Sequence, residues 1–476
     1  MVQGFKVRGS LVSAALVTLA LGGPASAQST GAQSTGSQSG GGQSTSGQST
    51  GAPSRPMPTI QPQPVIAPVP APGSSAGIPT IQPLPLAEPE MAWTLGDARA
   101  LLGVIEQIGA EGLMPADYLP DALRGAIAAG EGEALNAAAS KSFSWLAEDL
   151  RDGRTPMTAR VQWFAVDPDR DVWPTDKLMA KALETNDVAG VLADLAPSHP
   201  DYKVLVAELA KPGLTQPQRA LIRANLDRWR WLQKDLGDVY LLTNVPEFQL
   251  RLTVKNNIIR SYRTVVGKPG RTATPQLAEK VTAVVFNPTW TVPQSIVKGE
   301  GLGAQLLGNP ASARRQGYKV TRSADGMVTV VQQPGDGNAL GRMKIDMPNP
   351  HAIYLHDTPS KQYFSHTVRA YSHGCIRTQD AVQLGMTMAI LGAQMSKEEV
   401  SAISLSGEYT KVPMTRVFPV YLTYFTMARD IDLKLRTFGD IYGRDKPVLA
   451  SFARPREAKT TQRISDEAII KLDDPL

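Results

Sequence analysis

The sequence predicts an α+β protein in which an α-helical scaffold domain carries a β-rich catalytic domain with a lid-like insertion. Two patterns and one composition shift lead there. Apolar residues recur with the helical period over residues 91–235, then alternate along the chain from residue 236. Residues 28–52 hold too few apolar side chains to build a core and residues 53–90 are proline-rich, so the folded part begins after them.

The chain opens with a leader. Lys6 and Arg8 precede the apolar run "LVSAALVTLAL", and "ASA" at Ala25–Ala27 fits a small-residue cleavage site. Residues 1–27 read as a secretory signal peptide, which predicts a periplasmic protein. The apolar run is shorter than the ~20 residues a membrane span needs, which disfavours the competing reading of an uncleaved anchor. No second span follows, so none is expected after signal cleavage. Residues 28–52 repeat variants of "QSTG", and residues 53–90 turn proline-rich with "PTIQP" occurring twice. Together they predict a disordered tether.

In the scaffold, Leu101, Leu102, Ile105 and Ile108 share one helical face, and Phe143, Leu146 and Leu150 repeat the pattern. Gly109, Gly112, Pro115 and Pro120 punctuate the helices. Trp229 and Trp231 read as packing anchors. From residue 236 the pattern is β. Phe248, Leu250, Leu252 and Val254 alternate, "KNN" supplies a hairpin turn, and "VTAVVFNPTWTVP" and "HAIYLHD" continue as strands. Between these two, Gly299–Gly341 is glycine-rich and weakly periodic, which predicts a long irregular insert acting either as a lid or as a plain surface loop. The catalytic domain is placed at 236–395. Residues 396–476 are expected to return to the scaffold, with "RVFPVYLTYFTMA" adding a strand before a disordered tail.

A formal net charge of +5 and a pI near 9.1 are mildly basic. The cations are scattered without a nucleic-acid stripe, so no nucleic-acid partner is predicted. The single cysteine, Cys375, excludes an internal disulfide framework and a cysteine-rich zinc module. It stands in "SHGCIR", Ser372–Arg377, with Thr378 as the expected N-cap of a helix whose inner face is Val382, Met386, Ala389 and Ile390. A lone thiol is a liability in an oxidising compartment, so its retention points to chemistry. A helix N-terminus and Arg377 would favour the thiolate, and Gly374 lets the backbone approach a ligand. A nucleophilic thiol needs a proton acceptor. His351, His356, His366 and His373 lie just before it, whereas His199 stands apart. His356 closes an apolar strand, and strand alternation would place His373 and Cys375 on one face. Zinc held by His356, His366, His373 and Cys375 is a rival reading, but the spacings fit no compact zinc motif and Arg377 opposes a cation. A phosphatase loop is disfavoured because only one residue separates Cys375 from Arg377.

"IYLHDTP" followed by "SHGCIR" resembles the signature of the bacterial L,D-transpeptidases of peptidoglycan. "NLDRWRWLQKDLGDVYLLTNVPEFQL", "FNPTWTVPQSI", "QQPGDGNALGRMKIDMPNPHAIYLHDTP" and "PVYLTYF" extend the resemblance to the large multi-domain members over about residues 91–445. The resemblance implies that Cys375 attacks the bond between the third and fourth stem residues and that His356 takes the thiol proton. It implies that the amides of His373, Gly374 and Cys375 form an oxyanion hole, and that Arg377 orients the cysteine loop or a substrate carboxylate. Tyr354 and the insert would shape the donor pocket. Large members often carry a separate peptidoglycan-binding module, for which this chain has no room. No metal and no organic cofactor are implied, and the partners are peptidoglycan tetrapeptide stems. The acceptor stays open among another stem, an outer-membrane protein and a free D-amino acid. An L,D-carboxypeptidase and a non-catalytic wall-binding protein are the alternatives.

Overall fold

A computed structural model describes residues 89–165, 173–299 and 301–459, all within one compact unit. The expected leader, almost all of the tether and the end of the tail lie outside the described residues. Of these, helices α1 (Leu95–Gln107), α2 (Pro120–Ala129), α3 (Glu133–Asp152), α4 (Thr175–Thr185) and α5 (Val188–Ala193) form the first part of the scaffold. Their shared core contains Leu101, Ile105, Phe143, Leu146 and Leu150, so the helical period does mark the buried face. Leu102 lies at its margin, partly buried. Thr94 caps α1 by accepting the Asp97 amide, which satisfies one of the amides that a helix start leaves unpaired.

Helices α6 (Pro200–Leu209) and α7 (Gln216–Arg230) form the seat of the β domain. A capping box of Thr215 and Gln218 starts α7. Trp229 and Trp231 are buried in a core shared with Tyr240 and Leu242 of β1 (Val239–Asn244) and with Tyr421 of the late strand β12. Trp229 stacks between His199 and Phe425, and Trp231 meets Trp163 edge-on.

The β domain is a nine-stranded mixed sheet that bends round on itself. After β1 come β2 (Gln249–Val254), β3 (Asn257–Gly267), β4 (Leu277–Phe286), β8 (Met343–Asp346), β9 (Leu355–His356), β10 (Ala370–Ser372), β11 (Ile376–Thr378) and β12 (Thr410–Thr423). The order is β10-β3-β11-β9-β8-β4-β12-β1-β2, and β2 pairs with β3 as well, which links the last strand back to the second and leaves β10 outside the ring. The β2–β3 hairpin turns at Lys255 and Asn256, both at positive φ, as a tight hairpin turn requires. Helix α11 (Ala381–Ala393) covers one face of the sheet. Gly385 of this helix lies so close to Met343 and Val284 that a Cβ there would sit 2.6 Å from Met343 Cγ.

Four expectations are corrected. The segment 299–341 is not irregular. Helices α8 (Gln294–Gly299), α9 (Leu302–Gly308) and α10 (Pro310–Arg315) pack on a three-stranded sheet of β5 (Trp290–Thr291), β7 (Val328–Gln332) and β6 (Tyr318–Arg322). This small body has its own core of Val292, Val297, Leu306, Ala313 and Val330. Elements this short leave no readable period. The catalytic sheet does not close at residue 395, because β12 lies between β4 and β1 within it. Thr378 is not a helix cap but the last residue of β11, and Asp380, with φ 51°, precedes α11. The buried face of α11 is Ala381, Leu384, Gly385, Met388 and Ala389; of the expected residues Ala389 is buried, Val382 and Met386 are partly buried against the same core, and Ile390 is exposed. Helix α12 (Lys397–Leu405) then leads to β12, and α13 (Asp445–Phe452) returns to the scaffold.

Candidate active site

The parallel pairing of β9 with β11 organises the site. Ile376 stands opposite Leu355 and Arg377 opposite His356. The Ile376 amide donates to the Tyr354 carbonyl at 3.0 Å, which carries the same register back to Tyr354 and Cys375. Side chains alternate between faces along a strand. Leu355, Ile376 and Ile345 therefore turn toward α11, while Tyr354, His356, Cys375 and Arg377 share the opposite face. On β8, Lys344 is the register partner of His356 and joins this face.

Cys375 follows a bend between β10 and β11 and is half-buried. It is not at a helix N-terminus, since β11 intervenes before α11. The expected dipole support for a thiolate is absent, and burial pushes the thiol pKa up. The backbone and hydroxyl of Tyr354, then Lys344 and Arg377, oppose this without overcoming it. The thiol donates to the Ala352 carbonyl at 3.6 Å. Ala352 has φ 52° and belongs to a loop wound around Asn349. The Asn349 side-chain amide donates to the Met347 and Ile353 carbonyls, and its oxygen accepts from the His351 and Ile353 amides.

His356 is buried, and burial, then the positive charge of Arg377, lowers its pKa to about 3. Hydrogen bonds to the backbone of Asp357 and Leu340 pull weakly the other way. Its Nδ1 is buried with no hydrogen-bond partner among the described residues. The imidazole is therefore neutral at neutral pH and carries an unused buried nitrogen. His373 is exposed on the bend, and no strand places its side chain with the thiol. His366 is exposed and pairs with the Tyr371 hydroxyl at 2.8 Å, and His351 stacks on Phe164 with ring centroids 4.1 Å apart. His199 is structural, since its Nδ1 caps α6 at the Asp201 amide and its Nε2 meets the Tyr240 hydroxyl.

The cysteine bend is held by Gly374 together with Ser372 and Thr274. Gly374 has φ 123°, and a Cβ there would lie 3.0 Å from Ile353 Cδ1, so glycine is required. Its amide donates to Ser372 Oγ, and that hydroxyl donates to the Cys375 carbonyl. The Gly374 amide is thus engaged within the bend. Thr274 donates its hydroxyl to the Gly374 carbonyl at 2.8 Å and accepts the Gly267 amide at 2.9 Å. Of Ser372 and Thr274, only the serine carried a signal in the sequence, through its place two residues before a positive-φ glycine.

Tyr354 is buried, with its hydroxyl hydrogen-bonded to Trp290 and Cys375. Trp290 starts β5 of the insert and packs against both the insert core and the catalytic core. The insert thus borders the thiol. Arg377 is half-buried, with its guanidinium 5.9 Å from the Tyr363 ring centroid.

A model of the YkuD family, the L,D-transpeptidase catalytic domain, matches residues 238–387, and a scaffold-domain model matches residues 87–209. Residues 238–387 are an L,D-transpeptidase catalytic domain. A Haemophilus influenzae protein provisionally assigned as an L,D-transpeptidase is 25% identical over 285 residues. That match covers 56% of this chain and 57% of the relative. Among solved structures, an L,D-transpeptidase from Mycobacterium smegmatis matches with 14% identity and a TM-score of 0.19, over 39% of this chain and 58% of that one. L,D-transpeptidase 1 of Mycobacterium tuberculosis matches with 11% identity and a TM-score of 0.18, over 39% and 61%. Among the described residues, no helix is long and apolar enough to cross a membrane.

Proposed function

We propose that the protein is a periplasmic, cysteine-dependent peptidoglycan L,D-transpeptidase, with Cys375 as nucleophile and His356 as general base. The observation that carries this is the β9–β11 register, which sets a half-buried thiol on one face with a buried imidazole whose Nδ1 is unused. Thiol and imidazole both rest neutral, so the proton leaves Sγ for His356 as sulfur attacks the stem carbonyl. The Cys375 amide faces the developing oxyanion, while the Gly374 amide stays on Ser372 Oγ. Collapse breaks the C–N bond, His356 returns the proton to the leaving D-alanine nitrogen, and an acyl-thioester stays on Cys375. An acceptor amine then attacks it, gives its proton to His356, and expels the sulfur. Tyr354 and the insert wall the donor pocket, while Arg377 orients the bend or a substrate carboxylate. The acceptor is a second stem, giving 3→3 cross-links, or the amine of an outer-membrane protein.

Mass spectrometry of products from a disaccharide-tetrapeptide tests this. Cross-linked product and released D-alanine are expected from the parent and none from Cys375→Ala. His356→Ala is expected to cost on the order of 10²–10⁴-fold in turnover, the range for losing a general base. His373→Ala should cost less, and the reverse order would make His373 the base. Incubation with a carbapenem should leave one adduct on the parent and none on Cys375→Ala. A folded parent with neither product nor adduct would sink the enzyme reading in favour of wall binding.

A further inference from the structure

We infer that Lys344 is a specificity-determining residue that anchors a free carboxylate of the donor stem beside the thiol, an assignment that rests on the function proposed above. The Lys344 side chain stands on the catalytic face, opposite His356 in register. Its ammonium lies 4.4 Å from the ring centroid of Tyr354, the residue whose hydroxyl contacts Cys375. It is only 15% exposed, so a four-carbon side chain has been brought in along the sheet instead of reaching out to water.

Its resting partner is Asp346, at 3.0 Å. Asp346 does not depend on it, because Lys411 Nζ holds the other carboxylate oxygen at 3.0 Å. Lys411 is the register partner of Val285, which in turn faces Lys344, so all three cross the sheet in one row. That row continues through His356 to Arg377. Lys344 and Arg377 thus flank a neutral histidine and a neutral thiol, while Asp346 lies on the far side of Lys344, between it and Lys411. The excess positive charge sits where a stem peptide carrying free carboxyls must lie to reach Sγ. When Lys344 swings to a substrate carboxylate, Asp346 keeps Lys411 and no charge is stranded. A structural lysine needed only to neutralise Asp346 would make the second cation redundant.

Binding to the Cys375→Ala protein tests this without turnover. Calorimetry is run with synthetic tetrapeptide donors that are free, amidated at the C-terminal carboxyl, or amidated on the residue to be acylated. Adding Lys344→Met should weaken the free donor about tenfold or more, as expected for one charge-assisted hydrogen bond. It should leave unchanged the donor whose amidated carboxyl is the one anchored, and that arm names the carboxylate. Lys344→Arg should restore most of the affinity. Equal weakening of all three donors, or none, would overturn the anchor. Unaltered melting of both variants shows that the fold is intact. Stem binding without turnover by the parent would sink the proposed reaction alone, whereas no stem binding by the Cys375→Ala protein would overturn both.

Discussion

At the scale of single residues, the site is a pair of neutral groups. A free thiol ionises near pH 8.5, and burial carries Cys375 above its ordinary value, while His356 is held down to about 3. A resting thiolate–imidazolium pair is thereby disfavoured, which also shields the chain's one cysteine from oxidants, since the thiolate is the oxidisable form. Alkylation by iodoacetamide reads this directly. Its rate on the parent is expected to climb with pH beyond about 8.5 without an acidic plateau. A plateau below pH 7 would show a preformed ion pair and overturn the reading. Tyr354→Phe removes a hydroxyl that favours the thiolate, so its curve should move further toward alkaline pH. Cys375 and His356 stood out as candidates in the sequence because few residue types could perform the proposed chemistry and both stand in a marked motif. Lys344 and Thr274 did not, because the residues they face, His356 and Gly374, are brought to them by the fold and not by the local sequence. Register is a long-range property that a local pattern does not carry.

At the scale of elements, the cysteine bend depends on a chain of supports from distant segments. Tyr442 donates its hydroxyl to the Gly267 carbonyl at 2.7 Å and Arg444 reaches the Thr274 carbonyl at 3.2 Å, so the returning C-terminal segment braces the β3–β4 turn. Thr274 of that turn then holds Gly374. Thr274→Val keeps the shape but leaves the Gly374 carbonyl and Gly267 amide without their buried partner, at a cost of about 1–3 kcal/mol. Turnover is expected to fall as well, by up to ~10²-fold if the thiol shifts by an ångström. Melting temperature and kcat measured together check this, and a variant that loses stability but not kcat would show that Thr274 serves the fold alone. The switch from helical to alternating period located the scaffold and the sheet well. The regular elements of the insert escaped notice because each is too short to leave a readable period. The place of β12 escaped because a sheet can draw a strand from far along the chain.

At the scale of the whole molecule, the tryptophan core joins scaffold to sheet, and buried ion pairs tie the returning C-terminal segment to the scaffold. Arg228 of α7 pairs with Asp445 at 2.6 Å, and Arg456 reaches Glu148 and Asp149 of α3 at 2.7 and 3.0 Å. Burying ionisable groups makes stability depend on pH, and the signs differ by residue. His199 and His356 have pKa values of about 4 and about 3 in the fold, against roughly 6.5 unfolded, and burial shifts His351 the same way. Below pH 6.5 the unfolded chain binds protons that the fold refuses, so their contribution rises with pH from about 4 to 6.5. Glu279 runs the other way. Burial raises it to about 7, so the fold keeps a proton that the unfolded chain releases from about pH 4.5 upward. Its contribution is present in acid and is lost as pH rises to about 7. Glu247, also raised to about 7, adds to this opposing slope. Glu279→Gln removes one opposing group while staying neutral. The variant should melt close to the parent at pH 4.5 and gain on it steadily up to pH 7, as measured by calorimetric melting across that range. A constant difference between the two proteins would mean that Glu279 ionises in the fold as it does in the unfolded chain.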